Sequence, residues 1–298
     1  MKQQTLLISI VMVTYNRADF IEETIRSIQA QTYSRWELLI FDDGSEDATQ
    51  ELVVRLQQQD PRIRYYRKAR TGLTGIFKNE GIRMAQGALV AFMDSDDLWP
   101  AQKLAMQLDA LQTHPEAGFS FTNGFNFRSG SGAVEAYFYP QREGLFCADF
   151  FAEVCAGTIG IRLPTVMVWK QALQGDLLFR ENRPFTDYSF VAQLAAASKG
   201  VQLGGLLFER RVHGSNFSAT GWQHDFEEHL DMIARFRDQG RIPGRKAAAL
   251  LAMVYRNFGT AYARRRSFSE ARRMFLKAWS YQRLGFGTLK QWAKTYLS

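Results

Sequence analysis

Residues 8–49 read ISIVMVTYNRADFIEETIRSIQAQTYSRWELLIFDDGSEDAT, and the fold turns on this stretch. Residues 6–14, LLISIVMVT, are apolar at nearly every position, as in a strand buried on both faces. The period then changes. Between 18 and 31, Phe20, Ile21, Ile25 and Ile28 share one helical face while Glu22, Glu23 and Arg26 lie elsewhere. Residues 36–41, WELLIF, are a second strand that runs into Asp42-Asp43-Gly44-Ser45.

The same alternation continues outward. A polar helix over 46–59 stops at Pro61, 63–66 (IRYY) is a short strand, and a helix over 74–86 closes at Gly87. Residues 88–93, ALVAFM, form another strand, ending at Asp94-Ser95-Asp96-Asp97, and Pro100 opens a helix reaching His114. Strand–helix repetition at this spacing predicts an α/β fold with a mostly parallel sheet covered on both faces. Right-handed crossovers bring the C-terminal ends of the strands to one edge, where open α/β sheets bind ligands. Three polar clusters meet there: Thr14-Tyr15-Asn16, the 42–45 cluster and the 94–97 cluster.

Beyond 115 the pattern loosens. Residues 119–127 and 133–139 read as antiparallel strands around a Gly/Ser turn at 129–132. A helix is expected over 146–155, a strand over 165–169, a helix over 187–199 ended by Gly200, and an extended segment over 201–212. From Trp222 the chain reads as helices, with breaks near 240–243 and 285–287 and one helix–turn–helix unit over 254–279. A single such unit is too few for a solenoid, so this region is read as an α-helical appendage.

Of the 298 residues, 46% are hydrophobic and 22% charged, which excludes a mostly disordered chain, a collagen-like repeat and a multi-pass membrane protein. Two cysteines, Cys147 and Cys155, are too few for a disulfide framework, lack a neighbouring His pair for zinc, and fit a reducing, cytoplasmic compartment. The apolar run after Met1-Lys2 is short, ends in polar residues and lacks a cleavage site, so it reads as a buried strand and not a signal peptide. No apolar run approaches the roughly 20 residues of a membrane span. The net charge of +7 is uneven: residues 235–298 hold 15 Lys+Arg against 2 Asp+Glu, leaving 22 against 28 for 1–234. A basic region of this kind speaks to partners: a solvated bundle, an anionic membrane surface or a lipid-diphosphate acceptor. Nucleic acid is disfavoured, because no recognised module accompanies the charge.

Three carboxylates within 94–97 repel one another unless a cation compensates, and Mg²⁺ or Mn²⁺ accepts oxygen ligands of this kind. The bland alternative is a solvated turn that caps the next helix. In the 42–45 cluster one carboxylate could accept hydrogen bonds from a base N–H or a ribose hydroxyl, although Asp, Gly and Ser are also ordinary turn residues. Thr14-Tyr15-Asn16-Arg17 offers an aromatic ring and a donor to a nucleobase, or simply turns from strand to helix. Neither GxxxxGK[ST] nor GxGxxG is present, so metal and side chains would have to meet any phosphate charge.

Together with NEGIRMAQGALVAFMDSDDLWP at 79–100, the opening stretch resembles the inverting family 2 glycosyltransferases of the GT-A fold, closely over 6–115 and more loosely to about 220. The resemblance implies a donor half at 1–115, an acceptor-side half at 116–221 and a basic α-helical region at 222–298. It implies that Asp43, Thr14 and Tyr15 meet the nucleobase, that Asp94 and Ser95 lie on the ribose side, and that Asn79 lies near the donor. Asp96 would hold the metal, and His213, in Arg210-Arg211-Val212-His213-Gly214-Ser215-Asn216, would contact that metal or the diphosphate. Asp187 matches the second acid of the family's Glu-Asp pair and would be the general base; Thr186 stands where the Glu is usual. An Asp at a helix start is otherwise worth about 0.3–1 kcal/mol to the helix dipole. The QxxRW element of processive synthases is absent, which implies single addition. The implied reaction is metal-dependent inverting transfer from a nucleotide-diphosphate sugar, UDP-sugar by default, to a carbohydrate or lipid-linked acceptor in cell-surface polysaccharide or glycoconjugate synthesis. The rivals are a non-catalytic sugar-nucleotide-binding scaffold and a nucleotidyltransferase; the latter usually needs a Gly/Arg/Lys-rich loop that 13–16 does not provide.

Overall fold

A computed structural model describes residues 6–129, 138, 144–173, 175, 177–184, 186–214, 216 and 222–282. The elements in order are β1 (Ile8–Thr14), α1 (Ile21–Gln29), β2 (Trp36–Asp42), α2 (Thr49–Gln59), β3 (Ile63–Arg67), α3 (Thr74–Met84), β4 (Leu89–Asp94) and α4 (Lys103–Thr113). There follow β5 (Ala117–Phe127), β6 (Leu145–Ala148), α5 (Phe151–Ala156), β7 (Val166–Trp169), α6 (Asp187–Ala197) and β8 (Lys199–Arg211). Three helices close the described chain: α7 (Trp222–Asp238), α8 (Gly244–Arg264) and α9 (Phe268–Tyr281).

The strands form one sheet in the order β3-β2-β1-β4-β7-β5-β8-β6. β3, β2, β1 and β4 are mutually parallel, and β5 pairs parallel with β8. β7 is antiparallel to both β4 and β5, so β5 and β8 point the same way as β4. Register aligns Thr14 with Asp42 and Val13 with Asp94, which brings the three polar clusters to a single edge.

Alternation along the strands builds the two faces. On one, Ile8, Ile10, Met12, Leu38, Ile40, Leu89, Ala91 and Met93 pack with Ile21, Ile25 and Ile28 of α1, Val53 and Leu56 of α2, and Leu104, Leu108 and Leu111 of α4. The three isoleucines of α1 are fully buried, each worth about 1.5–3 kcal/mol. On the other, Phe92 meets Phe179 and Phe190 edge-on at 5.4 and 5.5 Å, and those two rings stack at 3.9 Å. α3 lies so close to β1 that a Cβ on Gly81 would sit 2.5 Å from Val11 Cγ1.

Two expectations change. The helix expected over 146–155 begins as a strand: Leu145–Ala148 pairs antiparallel with 200–203 of β8, and α5 starts only at Phe151. The edge of β8 offers ladder partners that outweigh local helix preference. Gly200 does not end a helix; α6 stops at Ala197 and Gly200 pairs within β8. Of the strand expected over 133–139 only Phe138 lies among the described residues; its N–H donates to Gly124 O at 3.2 Å. The break expected near 285–287 also lies outside them. The chain divides into two compact units: residues 1–151 with 160–219, and residues 152–159 with 220–298.

Candidate active site

The edge at the C-terminal ends of β1, β2 and β4 is a closed network of charge. Asp43 is 1% exposed. Its carboxylate accepts from Thr71 N at 2.6 Å, Thr71 Oγ1 at 3.1 Å and Gly72 N at 2.9 Å, and it is ion-paired with Arg70. The Arg70 guanidinium carbon lies over the Tyr15 ring, 3.7 Å from its centroid. Gly44 makes this docking possible: its φ is +76°, and a Cβ there would meet Arg70 N at 2.9 Å. Asp42 works differently. Its Oδ1 accepts from Ser45 N at 2.8 Å and its Oδ2 from Tyr65 OH, so it fixes the turn.

The first turn is tied to the second. Asn16, at φ 49°, accepts from Glu46 N at 2.8 Å through Oδ1 and donates its own N–H to Ser45 Oγ at 2.9 Å. Asn tolerates this left-handed conformation better than most residues. Thr14 Oγ1 is buried without a hydrogen-bond partner among the described residues. Arg17 connects the first turn to the 94–97 cluster: its NH1 donates to the carbonyls of Tyr15 and Asn16, and its Nε donates to Asp96 Oδ2 at 3.0 Å.

His213 Nε2 lies 3.1 Å from the same Asp96 oxygen and 3.0 Å from Asn216 Nδ2, its ring is stacked on Phe20 at 4.4 Å, and Asn216 Oδ1 accepts the His213 backbone N–H at 2.7 Å. Arg211 brackets the cluster from β8. Its Nε donates to Asp96 O at 2.9 Å, its N–H to Asp97 Oδ1 at 2.8 Å, and its NH2 to Glu23 at 2.6 Å. Burial pushes Asp97 well above the usual carboxylate range, and Asp96 and Asp94 add to the rise. Burial likewise raises Asp94 to about 7; Lys78 opposes the rise, and Asp187 and Asp96 reinforce it. Ser95 is buried between these acids in sequence. Carboxylates this crowded favour a positive ligand. Asp96 and His213 present an oxygen and an imidazole nitrogen side by side, a donor set that Mn²⁺ or Mg²⁺ accepts when phosphate oxygens and water complete the shell.

Asp187 opens α6 at the same edge and lies 2.5 Å from Lys78 Nζ, on α3. Lys78 is 9% exposed at its side chain and Asp187 41%, so the carboxylate faces solvent while the ammonium is enclosed. Thr186, just before it, is buried, and its Oγ1 has no partner among the described residues. Asn79 holds the acceptor-side segment: its Nδ2 donates to Phe179 O at 2.8 Å and Glu181 Oε1 at 2.9 Å, and its Oδ1 accepts from Phe179 N at 2.8 Å.

Thus Thr14, Tyr15, Asp43, Asp94, Ser95, Asp96, Asp187 and His213 converge on one edge, while the Asn79 amide is engaged one layer behind it. Sequence reading missed Arg70 and Lys78 as members of the site, and named Arg211 only within the element that carries His213. Arg70 carried a faint signal, a basic residue just past the third strand; the others answer acids more than 100 positions away. Among the described residues one group of three metal-type ligands lies close together, His114, Glu116 and Cys147. His114 and Glu116 precede β5 and Cys147 lies in β6, and burial raises the Cys147 thiol, against a thiolate ligand.

A family model described as Glycosyl transferase family 2 matches residues 9–159. The putative teichuronic acid biosynthesis glycosyltransferase TuaG of Bacillus subtilis is 29% identical over 220 residues, 73% of this chain and 83% of TuaG. WfgD of Escherichia coli, named a UDP-Glc:alpha-D-GlcNAc-diphosphoundecaprenol beta-1,3-glucosyltransferase, is 35% identical over 140 residues, 46% of this chain and 52% of WfgD. The crystal structure of S. aureus TarS 1-349 in complex with UDP-GlcNAc has the same fold, with a TM-score of 0.67 at 16% identity over 97% of this chain and 79% of that one.

Proposed function

The chain belongs to glycosyl transferase family 2 and carries its GT-A fold, and from that premise we propose that it moves one sugar from a nucleotide-diphosphate sugar to an acceptor hydroxyl, with inversion. A UDP-sugar is the donor we assign, with Mn²⁺ or Mg²⁺ as cofactor and a carbohydrate or lipid-linked acceptor in cell-surface polymer or glycoconjugate synthesis. The names of TuaG and WfgD support that class of product and acceptor. Residues 1–115 form the donor half, 116–221 the acceptor-side half, and 222–298 a basic C-terminal region.

One observation carries the reading: Asp43 and Asp96 are joined across the edge through Arg70, Tyr15 and Arg17, and Asp94, two residues before Asp96, senses the charge of Asp187. Asp43 accepts a nucleobase N–H, Tyr15 lies along the base, and the unpartnered Thr14 Oγ1 donates to it. Asp94 and Ser95 take the ribose side, and Asn79 holds the Phe179–Glu181 segment beside the donor. Asp187 accepts the acceptor's proton as that oxygen attacks the anomeric carbon, with Lys78 fixing its position. When bound, a divalent ion held by Asp96 with His213 supplies Lewis-acid neutralisation of the leaving diphosphate, worth several kcal/mol.

The test is release of nucleoside diphosphate from UDP-, GDP-, dTDP- and CDP-sugars with Mn²⁺, paired with thermal shift by the free diphosphates. A nucleotide at 100 times its dissociation constant stabilises the fold by ~2.7 kcal/mol. Stabilisation with no release from any donor, acceptor present or absent, leaves a binding protein and ends the enzymatic reading.

A further inference from the structure

Six large hydrophobic side chains are exposed among the described residues, and three of them fall within the last six residues of α9: Leu276 at 51%, Trp279 at 45% and Tyr281 at 37%. The helix has a complete buried face without them, made by Ala271, Met274, Phe275 and Ala278. The exposed trio is therefore not core left over from folding. Leu276 and Trp279 share a stripe with Arg272, at i, i+4 and i+7, and exposed Arg273 and Lys277 form the next stripe. Arg264, Arg265 and Arg266, at the turn before α9, are exposed as well. From the start of α9 to the end of the sequence, residues 268–298 hold six Lys+Arg against one acid, Glu270.

We infer that the outer face of α9 docks on an anionic lipid bilayer, with Leu276 and Trp279 entering the headgroup–acyl boundary and Arg273 and Lys277 meeting lipid phosphates. The chemistry selects this occupant. A second copy of the chain would bring two strongly positive regions together. A nucleic acid offers phosphate but no hydrocarbon to cover Leu276. An interface of acyl chains beneath anionic headgroups satisfies both halves of the face, and Trp and Tyr are the aromatic residues enriched there. The inference uses none of the residues assigned to the sugar-transfer site, so it stands or falls separately.

The experiment is sedimentation of the full chain with vesicles of phosphatidylcholine containing 30% phosphatidylglycerol, against pure phosphatidylcholine, at low and high salt. The chain is expected to pellet with the anionic vesicles and to release in high salt. Arg273→Gln/Lys277→Gln is expected to weaken binding on the order of 30-fold, since each basic residue near such a surface is worth about fivefold. Leu276→Ser/Trp279→Ser is expected to weaken it at least tenfold at unchanged melting temperature and donor release. No binding to anionic vesicles at low salt overturns the inference, as does wild-type binding by both double variants. Self-association in sedimentation velocity that Leu276→Ser/Trp279→Ser abolishes, without vesicle binding, assigns the face to a second copy. Binding of a single-stranded RNA oligonucleotide in preference to vesicles assigns it to nucleic acid; either result also overturns the proposal.

Discussion

Charge is abundant in two regions of this molecule, and it is handled in opposite ways. At the sheet edge Asp43, Asp97, Arg211 and Lys78 are buried, and each has a named partner within about 3 Å. Around the turn from α8 to α9 and along α9, Arg264, Arg265, Arg266, Arg273 and Lys277 are exposed. Buried charge must be compensated atom by atom, so it fixes geometry. Exposed charge is screened and contributes a field, so its placement tolerates change.

The contrast is broken most severely by chemistry. Asp96→Asn and Asp187→Asn are each expected to lower kcat/KM by about 10³ or more, ~4 kcal/mol of barrier. Arg273→Gln should leave turnover of a soluble acceptor within about twofold. Steady-state kinetics with the best donor decides it, and full turnover by Asp187→Asn would remove Asp187 as the base. Folding comes second. Arg211→Met removes the side-chain donors to Asp96 O and to exposed Glu23 and should cost about 1–3 kcal/mol in denaturant unfolding, whereas Arg273→Met should stay within about 0.5 kcal/mol.

Third is packing beneath the edge. In an open helix Gly→Ala is stabilising by up to ~1 kcal/mol. Gly81→Ala should instead destabilise by about 1–3 kcal/mol, because Val11 and the Phe41 ring occupy the space. A raised melting temperature would show that α3 is free to move outward.

The mildest case lies between the extremes. The Arg62 hydrogen bond holds Asp60 down to about 2, with Gln29 and the Arg62 N–H helping against burial. The folded value lies below the unfolded one, so the contribution is complete above the unfolded pKa of about 4 and lost as pH falls toward 2. Arg62 is 36% exposed at its side chain, so screening trims the effect, and Asp60→Asn should cost about 1 kcal/mol at pH 7 and progressively less as pH falls from about 4 through the folded pKa. A pH-independent difference between the two proteins would assign the loss to packing.

Much of this was legible in the sequence where the physics is local. The run from Ile8 to Thr14 and the pair of acidic turns at 42–45 and 94–97 specify parallel strands and their shared edge without any long-range information. What escaped was decided at a distance. Leu145–Ala148 is a strand only because β8, some 55 residues on, offers it a ladder. Asp187 reads as a helix start or as a base until Lys78, 109 positions earlier, is seen beside it. Asp43 shows its acidity in the sequence but not the Arg70–Gly72 segment that closes over it.

The reach of Arg211 has a consequence for how the protein is made. It is the last residue of β8, and it holds carbonyl and carboxylate groups of residues 96 and 97 as well as the side chain of Glu23. A nascent chain with its first four strands outside the ribosome has every aspartate of the cluster but lacks their clasp. The cluster is assembled only after more than a hundred further residues have been translated, and until then the acids repel one another.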